Sequence, residues 1–182
     1  RYLRGTLHYK MILRPNINLD TDSRHELDLH VFVDANWGGC PTSRKSTSGV
    51  LLHLLGCPIH FISKTQSVIA LSSAESELYG IGSGAAEALH VRSFLEETGL
   101  TTKLNVDIFT DSTAAKSISS AFGTGRKTRH IQLRYLFIQD LVRHGVVRLR
   151  KIAGELNPAG ILTKFVKLEV LRRHLHSFGL DP

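Results

Sequence analysis

Cysteine is scarce in this chain: Cys40 and Cys57 are the only two in 182 residues, with 16 residues between them. One isolated pair excludes a disulfide framework, and without a second Cys or Cys/His pair there is no zinc module. A reducing, intracellular compartment is the expectation. No apolar run approaches the roughly 18 residues that a membrane-spanning helix needs, so no membrane role is expected. The opening residues lack the basic, apolar and small-residue order of a secretory leader. The chain starts at Arg1 rather than Met, which reads as a piece of a longer product. Low-complexity tracts are missing too. Acids are in deficit, with 16 Asp and Glu against 23 Lys and Arg, giving a net charge of +7 and a pI near 9.7. That balance suits a polyanion, and nucleic acid is the usual one. Ten histidines can add positive charge in mildly acid conditions.

What is present is the composition of a globular domain, 42% apolar and 21% charged, in a chain long enough for one substantial core. Residues 1–24 are basic and broken by Pro15, Asn16 and Asn18, and read as a tether. The stretch Leu27-Asp28-Leu29-His30-Val31-Phe32-Val33 alternates as a strand does. Strands at 49–55 and 59–64 follow, split by Gly56-Cys57-Pro58, so the first three strands form an antiparallel meander. A long helix starts at Ser72 or Ser73, carries an apolar stripe from Leu78 through Ile81, Ala85, Ala88, Leu89 and Leu95, and stops near Thr98-Gly99. Gly80, Gly82 and Gly84 on that helix imply close packing against a sheet. Then come a strand at 105–110, a short helix at 112–120, a basic loop at 123–130 and a helix at 131–144 closed by Gly145. A strand at 146–152 is followed by a helix from Asn157, with Pro158 at its first position. The order βββ-α-β-α-α-β-α predicts an α/β domain over 25–167, a mixed five-stranded sheet flanked by helices, with 168–182 as a C-terminal helix or tail.

Acids sit at the joints between these elements. Asp34 and Asp111 end strands, and Glu75 and Glu77 open the long helix. Carboxylates meeting from separate elements hold hard divalent cations, and two such ions about 3.5–4 Å apart can clamp and cleave a phosphodiester. Asp34, Glu77 and Asp111 are the candidate catalytic and metal-binding set. Glu75 competes with Glu77, but lies roughly 40° farther from the centre of the apolar stripe at 100° per residue. Each acid alone has a duller reading: a strand-end Asp caps a turn, and a first-turn Glu answers the helix dipole.

Several stretches with specific spacing carry a resemblance that spans nearly the whole chain. They are Val33-Asp34-Ala35-Asn36-Trp37, Arg44-Lys45-Ser46-Thr47-Ser48-Gly49, Ala70-Leu71-Ser72-Ser73-Ala74-Glu75-Ser76-Glu77, Thr110-Asp111-Ser112-Thr113-Ala114-Ala115, Arg129-His130-Ile131 with Arg134-Tyr135, and Asn157-Pro158-Ala159-Gly160-Ile161-Leu162-Thr163-Lys164. Together they resemble the ribonuclease H domain of a copia-type LTR retrotransposon Pol polyprotein. The resemblance implies a ribonuclease H-like fold and two Mg²⁺ or Mn²⁺ ions. It also implies cleavage of RNA in RNA–DNA hybrids during reverse transcription, beside the reverse transcriptase domain of the same polyprotein. A cytoplasmic virus-like particle or the nucleus is the implied setting, with the isolated domain a monomer. Two departures stand out. Asn36 replaces the second aspartate of the first motif, and Gly160 stands where the family carries its fourth metal-binding aspartate. Glu155, five residues upstream, is the one nearby acid able to substitute if its loop bends inward.

Arg44, Lys45, Lys64, Arg126, Lys127 and Arg129 fall in turns or loops, within reach of phosphates. His130 is a candidate for the nucleic-acid backbone, and Ser73 for a 2′-hydroxyl; capping is Ser73's duller role. Trp37, the single tryptophan, reads as core packing beside the site. Gly160 keeps a second function open: a weakened module that binds hybrid or a reverse transcriptase without efficient cleavage. An integrase-like strand transferase needs a third acid on a late helix; Glu169 lies too far along to supply it.

Overall fold

The structure, a computed structural model, describes residues 7–16, 26–113 and 132–181. The basic loop with Arg129 and His130, most of the short helix expected after Ser112 and most of the tether lie outside them. Among the described residues the elements run β1 (Lys10–Met11), β2 (Glu26–Asn36), β3 (Thr47–Leu54), β4 (Cys57–Thr65), α1 (Ser73–Glu97), β5 (Lys103–Thr110), α2 (Gln132–Arg143) and β6 (Arg148–Lys151). Two 3₁₀ turns follow, Gly154–Leu156 and Pro158–Leu162, then α3 (Leu168–Leu175), a third 3₁₀ turn (His176–Phe178) and β7 (Leu180–Asp181).

The main sheet is five-stranded in the order β4-β3-β2-β5-β6. Its first three strands are an antiparallel meander, and β5 and β6 add in parallel. The β3–β4 turn is two residues, Leu55 and Gly56, both at positive φ, the backbone that matches the twist of a hairpin. Leu29, Val31 and Val33 on β2, Val50 and Leu52 on β3, and Val106 and Ile108 on β5 are all buried under α1 and α2. The helical stripe meets them through Leu78, Ile81, Ala85, Ala88 and Leu95.

At two points helix α1 lies so close to β2 that there is no room for a side chain. A Cβ on Gly84 would stand 2.8 Å from Val33 Cγ2, and one on Gly80 would stand 2.9 Å from Val33 Cγ1. Gly84→Ala is expected to destabilise the domain by about 1–3 kcal/mol through overpacking, read as a lower urea midpoint with unchanged slope. An unchanged midpoint would show that the helix can lift away at no cost.

Two features differ from the sequence reading. No α-helix begins at Asn157; the chain there makes the two short 3₁₀ turns, and the α-helix opens only at Leu168. Asn157 does cap: its side chain accepts from Ala159 N, with Pro158 at the first position. These signals start either helix type, and both ends of the turn are tied to the sheet: Asn157 Nδ2 donates to Val33 O at 2.8 Å and Asn36 Nδ2 to Thr163 O at 2.7 Å. The second feature is a ribbon: Lys10 pairs with Asp181 and Met11 with Leu180, antiparallel.

Candidate metal centre

Strand β2 has an antiparallel neighbour on one side and a parallel one on the other, so strand direction switches beside its C-terminal end. The parallel pairing of β2 with β5 sets Val31 opposite Ile108 and Phe32 opposite Phe109. Continued two residues, that register carries Asp34 and Asp111 to the same edge. Glu77 arrives from the first turns of α1. The three carboxylates each place an oxygen within 4.8 Å of the others, and among the described residues they are the one His/Cys/Asp/Glu group so arranged.

The two candidate glutamates have separate tasks. Glu75 N donates to the cap residue Ser72 Oγ at 3.1 Å, and Glu75 Oε2 accepts from Leu71 N at 2.7 Å. Glu75 thereby holds the start of the helix. Glu77 Oε1 accepts from Ala35 N at 3.2 Å, which pins its carboxylate over the end of β2. Its Oε2 is buried and has no hydrogen-bond partner. Glu155, on an exposed 3₁₀ turn, is not among the converging acids.

Packing three acids together is electrostatically costly. Burial, then the neighbouring Asp34 and Asp111, push Glu77 up from 4.5 to about 8. Burial, then Asp34, raises Asp111 as well. An unpartnered buried carboxylate oxygen beside two more carboxylates fits a bound divalent cation, which favours oxygen donors and negative charge.

The turn Pro158–Leu162 packs against β2 and β3. Asn157 is only 2% exposed at the Asn157 end of this turn, bonded to β2 as described. Asn36 fastens the other end: its Nδ2 donates to Thr163 O and its Oδ1 accepts from Thr47 N, both at 2.7 Å. An aspartate at 36 could accept but not donate, so the amide suits this double role. Thr163 Oγ1 donates to Asp34 Oδ2, and Lys164 Nζ stands 3.8 Å from the same oxygen. Gly49, paired with Asp34 across the sheet, lets the turn approach; a Cβ there would be 2.7 Å from Ala159 O.

No protein-family model matches the chain. Over 135 residues it is 34% identical to the retrovirus-related Pol polyprotein of transposon TNT 1-94 from Nicotiana tabacum, covering 74% of this chain and 10% of that polyprotein. Over 164 residues it is 29% identical to the corresponding polyprotein of transposon RE1 from Arabidopsis thaliana, covering 90% and 11%. The chain therefore spans about a tenth of the length of the curated relatives it matches. Among solved structures, the N-terminal RNase H domain of a Mycobacterium tuberculosis protein, fused to maltose-binding protein, shares the fold. Its TM-score is 0.55 at 12% identity, over 83% of this chain and 98% of that one. A ribonuclease H isolated from compost by a metagenomic approach gives 0.57 at 15%, over 81% and 98%. The chain is a homologue of plant retrotransposon Pol polyproteins and has a ribonuclease H fold.

Other residues of this ribonuclease H-like domain fall around the same edge. Arg44 and Lys45 lie in the turn between β2 and β3. Lys64 on β4 pairs with Ser48, whose other partner is Ala35, the neighbour of Asp34. Ser73 is the exposed first residue of α1. Trp37 is not core: it is 57% exposed, its indole N–H donating to Ala70 O at 2.9 Å. The position after a strand end let it turn outward, and nothing in its immediate sequence distinguishes that from burial. Thr163 and Lys164 were legible only as part of a motif; their contact with Asp34 depends on a 3₁₀ turn that the sequence reads as α-helix.

Proposed function

We propose that the domain hydrolyses the RNA strand of RNA–DNA hybrids with Mg²⁺ or Mn²⁺ held by Asp34, Glu77 and Asp111. The observation that carries the reading is the convergence of three carboxylates from separate elements to within 4.8 Å, at the open end of the central strand. A divalent cation held by these three residues would supply an activated water and neutralise charge on the scissile phosphate. The chain's own groups do the rest. The Ala35 N–H fixes the Glu77 carboxylate, and the Thr163 hydroxyl fixes that of Asp34. Arg44, Lys45 and Lys64 draw the phosphate backbone across the sheet edge, and exposed Ser73 reads the 2′-hydroxyl that marks the RNA strand. On this reading the domain works beside a reverse transcriptase in the polyprotein and degrades its hybrid product.

Gly160 favours a second reading, a module that grips hybrid but cuts it poorly. The two separate in an assay with one labelled strand in turn. Mg²⁺- or Mn²⁺-dependent cutting of RNA in the hybrid, with the DNA strand and duplex DNA left whole, supports the nuclease. Hybrid retained intact at saturating protein supports the weakened module.

A further inference from the structure

Gly160 leaves room beside Asp34 that another group of this chain fills. A Cβ at 160 would lie 4.0 Å from Asp34 Oδ2 and 3.9 Å from Lys164 Cε. The lysine stem therefore passes over the glycine, and its ammonium stops 3.8 Å from Asp34 Oδ2. The same oxygen already accepts the Thr163 hydroxyl. One oxygen of the Asp34 carboxylate is thus occupied by the protein's own donors, with which any further cation at that oxygen would have to compete. The charges point the same way. Three carboxylates are balanced by one divalent cation and one ammonium, whereas two divalent cations and the lysine leave the site with a net positive charge.

We propose that this is a one-cation centre in which the Lys164 ammonium stands beside Asp34 in place of a second metal ion. The inference rests on the reading of Asp34, Glu77 and Asp111 as metal ligands. Lys164 supplies, as a tethered charge, part of the phosphate neutralisation that a second ion gives elsewhere. It is a weaker substitute than a divalent cation, since it carries half the charge and cannot activate water. It needs no fourth carboxylate, however, and tolerates the glycine.

The test is Mn²⁺ binding to the intact chain, followed by titration calorimetry and by the paramagnetic resonance of free Mn²⁺, without substrate. The parent should bind one Mn²⁺. Gly160→Asp should bind two, because the new carboxylate has ordinary contact distances at that position and both Lys164 and Asp34 within reach. Lys164→Met, at a half-exposed site where folding is easily checked by melting, should still bind one ion. Its binding should be tighter by at least several-fold, because a positive charge that repels the divalent cation has been removed. Hybrid cleavage by the same variant should fall, and Lys164→Arg should recover part of it. Two Mn²⁺ ions in the parent would overturn the proposal while leaving the metal centre standing. So would unchanged Mn²⁺ affinity in Lys164→Met with weaker hybrid binding, which marks a lysine that merely grips phosphate. A titration in Asp34→Asn identical to the parent's would instead bring down the metal-ligand reading itself.

Discussion

Asp34→Asn is expected to reduce cleavage of the hybrid's RNA strand by roughly a hundredfold or more, beyond the loss typical of removing a group outside the ligand set. Asp34 is 3% exposed, has an oxygen of each of the other two acids within 4.8 Å, and is contacted by Thr163 and Lys164. An amide there keeps the shape and one acceptor oxygen but loses the charge that a hard cation needs. It also leaves the ammonium of Lys164 without its partner. Glu77→Gln and Asp111→Asn should behave alike, while Glu75→Gln should leave the rate nearly intact and cost stability, because Glu75 is engaged with Leu71 N. Hybrid affinity should change little in all four, as the backbone grip belongs to other residues. Initial rates and filter-binding on the same preparations check this. Equal rates for parent and Asp34→Asn would end the proposed chemistry.

A second large effect concerns stability. Glu77 has its proton held up to about 8 in the folded protein, against an ordinary value of 4.5. Between those values the native state binds a proton that the unfolded chain has released, so stability must fall as pH rises through that window. Below 4.5 the contribution is fully present; above about 8 it is gone. At 1.36 kcal/mol per unit, the loss is at most about 5 kcal/mol, and Asp111 adds to it in the same direction. The metal-free domain should therefore melt at steadily lower temperature from pH 5 to pH 8. Mn²⁺ needs the carboxylates ionised, so its stabilisation should grow over the same range and flatten the curve. Thermal melts with EDTA and with Mn²⁺ give both curves. A metal-free curve that is level from pH 5 to 8 contradicts the crowding of these acids.

Much of this was legible because strong local patterns and global contacts agreed. The alternation from Leu27 to Val33 is a strand with one face under α1, and the caps at Ser72 and Thr98-Gly99 bracket α1 as Ser73–Glu97. Gly80 and Gly84 signalled the close packing on the sheet that is found at Val33, whereas Gly82 faces Ile138 of α2 instead. The wheel position that put Glu77 nearer the sheet than Glu75 reflects the same geometry, since a helix packed along β2 presents that row to the strand end. Other features had no local signature. Strands of two residues, Lys10–Met11 and Leu180–Asp181, are too short for periodicity and join distant parts of the chain. The turn after Asn157 shares its start signal with an α-helix, and its ties to Val33 O and Asn36 come from residues far away in the chain. Lys164 shows its contact with Asp34 only after that turn is drawn correctly.

Beneath all of this lies a claim about position: carboxylates of Asp34, Glu77 and Asp111 hold one divalent cation between them. Crystals grown with Mn²⁺ and measured at its absorption edge put that to the proof. The account predicts a single strong anomalous peak ligated by all three side chains, with Lys164 beside Asp34. Manganese found elsewhere on the surface, and none among these acids, contradicts it.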